Sequence, residues 1–186
     1  EEIINEGQRI SRIVRSLLAF SRQSDPKHEA TRPSEIIDSI MVLTRKLLEK
    51  DDIATEIAVE PDLPAVICNS AQIQQVLLNL LTNARDALNA RWKGFSPDKR
   101  ITVGIRRLAE GTGTWVRFSI ADNGTGIPDN VADRIFDPFF TTKPPEQGTG
   151  LGLSISYGIV KDHDGRLDFI ALPDGGSEFF VDLPAG

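Results

Sequence analysis

The chain has 186 residues, 40% of them hydrophobic and 26% charged, with a formal net charge of −6. This composition belongs to a folded globular domain, and the acidic balance argues against a large phosphate-backbone footprint, so nucleic acid is not expected as a partner. The single cysteine, Cys68, excludes an internal disulfide and reads as a small core residue; no apolar run approaches the ~20 residues needed to span a bilayer, and the start Glu1-Glu2 is unlike a signal peptide.

In chain order, Ile3, Ile10 and Leu17 recur every seven residues, with Ile13, Val14 and Phe20 beside them, which predicts a helix with a partner-facing seam. Residues 1–23 are expected to be the end of a longer helical hairpin or coiled coil. Residues 24–33 are polar, with two prolines and no periodicity, and read as a linker; His28 within it is expected to be solvated. Ser34 is expected to cap a helix reaching Lys50, followed by a strand over Ile53 to Val59 and a short one over Ala65 to Cys68. Asn69 or Ser70 opens the most strongly patterned helix, with Ile73, Val76, Leu77, Leu80, Leu81, Ala84 and Leu88 on one broad apolar face. Asn79 and Asn83 stack on one side of it, and amides so close to an apolar stripe are costly without partners.

A loop over Arg91 to Lys99 is expected to lay Trp92 and Phe95 over the core. Strands Ile101 to Leu108 and Thr114 to Ala121 form a hairpin, and a short helix is expected near Asn130 to Ile135. A glycine-rich stretch, 148–154, leads into a helix ending near His163-Asp164-Gly165, where His163 is expected at the surface. Strands Arg166 to Ala171 and Gly176 to Leu183 close the chain. Antiparallel pairs interrupted by a few amphipathic helices predict a two-layer α/β sandwich, a mixed sheet with helices on one face.

Two stretches carry chemistry. Asp122-Asn123-Gly124-Thr125-Gly126-Ile127-Pro128 ends a strand with an acceptor-only carboxylate and continues in backbone that can approach a planar ligand closely. Asp-Asn-Gly is also an ordinary turn signal. Gly148, Gly150 and Gly152 immediately before a helix supply backbone N–H groups at the positive end of its dipole, an anion cradle suited to phosphate. Neither the Gly-x4-Gly-Lys-Ser/Thr loop nor the Rossmann spacing is present. One ligand satisfies both stretches: Asp122 accepts from an exocyclic amine, the 148–152 loop holds phosphates, and Asn83 offers a neutral oxygen that suits octahedral Mg²⁺ together with phosphate and water oxygens. The loop from Thr141 to Gln147 would be a lid, with Lys143 available to phosphate. ATP with Mg²⁺ is the expected ligand.

With these pieces the chain resembles the histidine kinases of two-component signalling, within the wider gyrase, Hsp90, histidine kinase and MutL ATPase group. Gln75 to Ala84 is similar to the family's N box, Asp122 to Gly126 to its G1 box, Phe136-Asp137-Pro138-Phe139-Phe140 to its F box and Gly148 to Leu153 to its G2 box. The wording around Phe136 to Lys143 and Gly148 to Tyr157 resembles the nitrogen-regulator-like kinases with a short lid. The resemblance implies a Bergerat-type ATP-binding fold over residues 34–186. It implies nucleotide contacts at Asn79, Asn83, Asp122, Gly124, Gly126, Ile127, Phe136, Thr141, Thr142 and Lys143, then at Gly148, Thr149, Gly150, Leu151, Gly152, Leu153 and Ser177, with the metal on Asn83. Residues 1–23 would be the end of the second helix of a dimerisation and phosphotransfer domain. The family's phosphoacceptor motif, His-Glu/Asp-x-x-Asn/Thr-Pro, does not occur here, since His28-Glu29 lies in the linker; a kinase fragment is therefore expected, with the acceptor histidine elsewhere.

Hydrolysing members of the group carry a glutamate one turn before the magnesium asparagine, as general base for water. Asn79 stands there, and an amide cannot take that proton. Phosphoryl transfer to an imidazole is therefore favoured, with relay to a response regulator, homodimerisation in the full-length protein and a cytoplasmic location, free or below a membrane anchor. A hydrolysing conformational clamp and an inactive nucleotide-binding module are the alternatives.

Overall fold

The computed structural model describes residues 28–110, 113–144 and 148–186; the expected helical stub over residues 1–23 lies outside them. The elements are β1 (Glu29–Thr31), α1 (Pro33–Lys50), β2 (Ala54–Val59), β3 (Val66–Cys68), α2 (Ser70–Arg91), β4 (Arg100–Glu110), β5 (Gly113–Asp122), a 3₁₀ turn (Asp129–Arg134), α3 (Gly152–Asp162), β6 (Arg166–Ala171) and β7 (Ser177–Pro184).

A five-stranded sheet runs in the order β2-β4-β5-β7-β6. The β2–β4 pair is parallel, and the other three pairs are antiparallel. That parallel pair follows from the chain path, because α2 lies between the two strands and supplies the long crossover a parallel connection requires. Alternate residues of the central strands face inward: Val103 and Ile105 on β4, Phe118 and Ile120 on β5, Val181 and Leu183 on β7, each at most 2% exposed. The apolar stripe of α2 meets them, with all seven of its predicted positions buried. Burying one such aliphatic side chain contributes roughly 1.5–3 kcal/mol. Cys68 is buried in the same core. The result is the expected mixed sheet with helices packed against it.

Several local expectations change. Glu29–Thr31, read as linker, pairs antiparallel with β3 as a short strand, which three residues are too few to reveal by periodicity. The first helix opens on Arg32 with Pro33 in its first turn and no side-chain cap, so Ser34 does not cap it; proline's fixed φ starts the helix instead. Phe95 is 74% exposed and does not cover the core, whereas Trp92 packs against it. The expected short helix is a 3₁₀ turn over Asp129–Arg134.

His163 is the largest departure. It is 4% exposed, not a surface residue. Its Nδ1 donates to the Ile159 carbonyl at 2.7 Å, and its Nε2 accepts from the Asn69 N–H at 3.0 Å, an assignment that requires the neutral ring. The imidazole thus ties the C-terminal end of α3 to the N-cap of α2, whose own side chain accepts from Gln72 N. Burial holds its pKa below the ordinary histidine value. The exposed His28 ring lies 4.5 Å from it, centroid to centroid.

Candidate functional site

A cavity of about 540 Å³ opens between α2, the end of β5, the start of β7 and the loop leading to α3. Asp122 forms its inner end. The pleat turns this last residue of β5 to the core side with Phe118 and Ile120, so Asp122 is only 3% exposed. Its Oδ1 accepts from Gly124 N at 2.7 Å and its Oδ2 from the Ser177 hydroxyl at 3.0 Å, directly across the β5–β7 pair. Burial raises the Asp122 pKa above the ordinary carboxylate value, and these neutral donors, together with the Ser177 N–H, counter that only in part.

The turn after Asp122 is held from outside the cavity. Asn123 faces away, its Oδ1 accepting from Arg100 N at 2.9 Å and its amide donating to Asp98 O at 2.7 Å. Arg91, at the end of α2, donates to the carbonyls of Asn123 and Gly124 at 2.8 and 3.1 Å. Thr125 N reaches the Ala87 carbonyl at 3.4 Å. The cavity beside Asp122 is therefore walled by α2 on one side and by held backbone on the other.

Asn79 and Asn83 do face the cavity from α2, and both have partners. Asn79 donates to the buried Ser156 hydroxyl at 3.0 Å, joining α2 to α3. Its Oδ1 lies where a Cβ on residue 152 would stand, so a side chain there would have to displace the Asn79 amide. Asn83 Oδ1 accepts from Lys143 Nζ at 3.0 Å, and the same ammonium lies 2.6 Å from Asp86 Oδ2.

The glycine loop enters α3 without a side-chain cap. First-turn N–H groups have no acceptor within their own helix, and Gly152 and Leu153 of that turn line the cavity beside Asn79, about two turns back along α2 from Ala87, where the turn after Asp122 packs. Gly150 adopts φ +68°, and a Cβ there would fall 2.3 Å from the Phe139 carbonyl carbon. Glycine is needed both for the conformation and for the approach of the two loops.

Of the residues expected at the site, Asn79, Asn83, Asp122, Gly126, Ile127, Thr141, Thr142, Lys143, Gly148, Thr149, Gly150, Gly152, Leu153 and Ser177 line the cavity. Gly124, Phe136 and Leu151 do not. Gly124 packs on Ala87 behind Asp122, Phe136 rests against Tyr157 at 5.5 Å between ring centroids, and Leu151 is buried at 6% exposure. They shape the site without facing it. Asp86, Ala87 and Ala90 line it unexpectedly, as does Phe179. The signal for the first three was available, because they continue the three- and four-residue spacing of Asn79 and Asn83 along α2. Phe179 follows from Ser177 by the two-residue strand period.

The family described as histidine kinase-, DNA gyrase B- and HSP90-like ATPases matches residues 68–186. The sensor kinase CckA of Brucella abortus (strain 2308) is 36% identical over 188 residues, covering 98% of this chain and 20% of the relative. The sensory histidine kinase/phosphatase NtrB of Vibrio alginolyticus is 30% identical over 191 residues, covering 98% and 51%. The crystal structure of histidine kinase ThkA in complex with the response regulator protein TrrA superposes with a TM-score of 0.75 at 27% identity, covering 99% of this chain and 49% of that one. The chain thus spans from about a fifth to about half of the length of these three proteins. Residues 68–186 belong to the histidine kinase-, DNA gyrase B- and HSP90-like ATPase family, in the form that sensor histidine kinases carry.

Proposed function

We propose that this chain binds Mg-ATP and donates the γ-phosphoryl group to a histidine on a dimerisation and phosphotransfer domain, for onward relay to a response regulator. The observation that carries the reading is the layout of one cavity along α2, with a buried acceptor, Asp122, followed by Gly124 packed at Ala87, and the glycine-led start of α3 packed about two turns away at Asn79. A nucleotide has that polarity: a hydrogen-bond-donating base and an anionic tail. The volume, about 540 Å³, is within the range of nucleotide-sized pockets.

The residues present also fit a divalent cation. Asn83 Oδ1 already faces a positive charge, the Lys143 ammonium at 3.0 Å, so the position accepts a cation with an oxygen donor. Mg²⁺, when bound, neutralises charge on the phosphate oxygens. The chain's own part is positioning. Asp122 orients the base, the amides that begin α3 fix the phosphates, and the Asn79–Ser156 bond keeps α2 and α3 in register across the site. Asn79 also favours transfer over hydrolysis, since its amide is engaged as a donor and is no base for water.

The same reading takes the acceptor domain to belong to a homodimeric, cytoplasmic full-length protein and the onward partner to be a response regulator, which the complex of ThkA with the response regulator protein TrrA supports. No described helix is long and apolar enough to cross a membrane. The test incubates the chain with γ-labelled ATP, Mg²⁺ and a separately supplied dimerisation and phosphotransfer domain. Acid-labile label on that domain's histidine is expected, and none on this chain. Rapid ATP turnover with no labelled acceptor would overturn phosphotransfer in favour of a clamp.

A further inference from the structure

Asp86 is the one charged side chain that α2 presents to the cavity beside Asn83, and nothing in the motif reading gives it a role. It follows Asn83 by three residues, so the two side chains share a helix face. Between them sits Lys143 Nζ, 3.0 Å from Asn83 Oδ1 and 2.6 Å from Asp86 Oδ2. The other carboxylate oxygen lies 3.7 Å from Arg85, whose guanidinium is already engaged by Asp51 at 2.5 Å. The ion pair is partly shielded, with 32% of the Lys143 side chain and 34% of that of Asp86 exposed. One neutral and one anionic oxygen converging on a positive charge are the donors a hard divalent cation takes. An ammonium and a hydrated Mg²⁺ cannot hold the same place.

We propose that Asn83 and Asp86 form a cation seat that Lys143 fills in the nucleotide-free chain and surrenders to Mg²⁺ when nucleotide arrives. Asp86 is then a magnesium-facing residue, and Lys143 is a latch holding the Thr141–Pro144 segment against α2. The turn that carries the latch is itself bonded, Lys143 N to Thr141 Oγ1 at 3.1 Å and Gly148 N to Pro144 O at 3.1 Å. Release therefore couples the cation seat to the backbone leading into the phosphate cradle, and sends the lysine charge toward the phosphates at the moment the metal takes its former place. The inference rests on the nucleotide reading of the cavity.

The test is the magnesium dependence of nucleotide binding, measured by calorimetry with a non-hydrolysable ATP analogue in Mg²⁺ and in EDTA. The readout is the dissociation constant in EDTA divided by that in Mg²⁺. Asp86→Asn is expected to lower that ratio about 10- to 100-fold, with affinity in EDTA unchanged or improved because a negative charge near the phosphates is gone; Asp86→Glu restores part of it. In the nucleotide-free chain, amide exchange at Thr142 and Lys143 should quicken in Asp86→Asn and in Lys143→Met, with no further gain in the double variant. Wild-type binding with an unchanged ratio in Asp86→Asn, or additive exchange effects, would overturn the latch alone. Failure of the wild-type chain to bind the analogue at all would overturn the nucleotide reading itself.

Discussion

Asp122→Asn separates recognition from stability more cleanly than any other change at the site. Asp122 is 3% exposed, and its carboxyl partners are the Gly124 N–H, the Ser177 hydroxyl and the Ser177 N–H, all neutral. Gly124 N needs an acceptor, so the amide oxygen takes the Oδ1 position and Nδ2 stands where Oδ2 was, donating to Ser177 Oγ in a reversed hydrogen bond. Packing volume is almost unchanged. A donor now replaces one acceptor facing the ligand, so a base amine loses a charge-assisted hydrogen bond worth roughly 1.5–3 kcal/mol, about a 10- to 150-fold loss of affinity. Stability moves the other way. The pKa of Asp122 is raised by burial, meaning that its ionised form is disfavoured in the folded chain relative to the unfolded one, and that cost is present at neutral pH. The amide removes it, each kcal/mol of relief raising the thermal midpoint by about 2–4 °C in a chain of this size. Calorimetric titration with the ATP analogue and thermal denaturation of the nucleotide-free protein check the two halves. Undiminished affinity would refute the role of Asp122 in base recognition, and a lower midpoint would refute the claim that its charge is a liability.

Two further outcomes are expected. The His163 ring is held below the ordinary histidine value of 6.5, so the unfolded chain takes up a proton first as pH falls through that value, and stability is lost from there downward. The wild-type thermal midpoint should therefore fall between about pH 7 and pH 5 relative to that of His163→Gln, a difference in which the contribution of Asp122 cancels; parallel curves would rule out the buried neutral ring. Gly150→Ala forces a side chain into φ +68° and against the Phe139 carbonyl carbon at 2.3 Å. It should cost about 1–3 kcal/mol in denaturant unfolding and weaken binding of the ATP analogue, whereas Gly158→Ala, where nothing lies within 4 Å, leaves affinity unchanged.

Much of this molecule was legible before its structure. Seven apolar positions on α2 and the alternation of β5 specify core faces directly, because a helix of period 3.6 and a strand of period two can bury only those residues. The motif residues were legible because unusual chemistry is locally visible: an acceptor-only side chain at a strand end, and glycines at a helix start. His163 was misplaced because its burial depends on Asn69, 94 residues away in the chain. Glu29–Thr31 escaped notice because its partner strand, β3, is distant and both are short.

The chain alone thus determined that there is a nucleotide-like motif set and which faces make the core. Only the tertiary structure decided how the motifs act together. It set Asp122 against Ser177, showed that Gly124, Phe136 and Leu151 stand behind the cavity wall, and brought Lys143 between Asn83 and Asp86, 60 and 57 residues apart in sequence. Local pattern encodes what each residue offers; which offers meet is fixed by the packing of α2 and α3 on the sheet, where long-range contacts carry the information that no window of sequence contains.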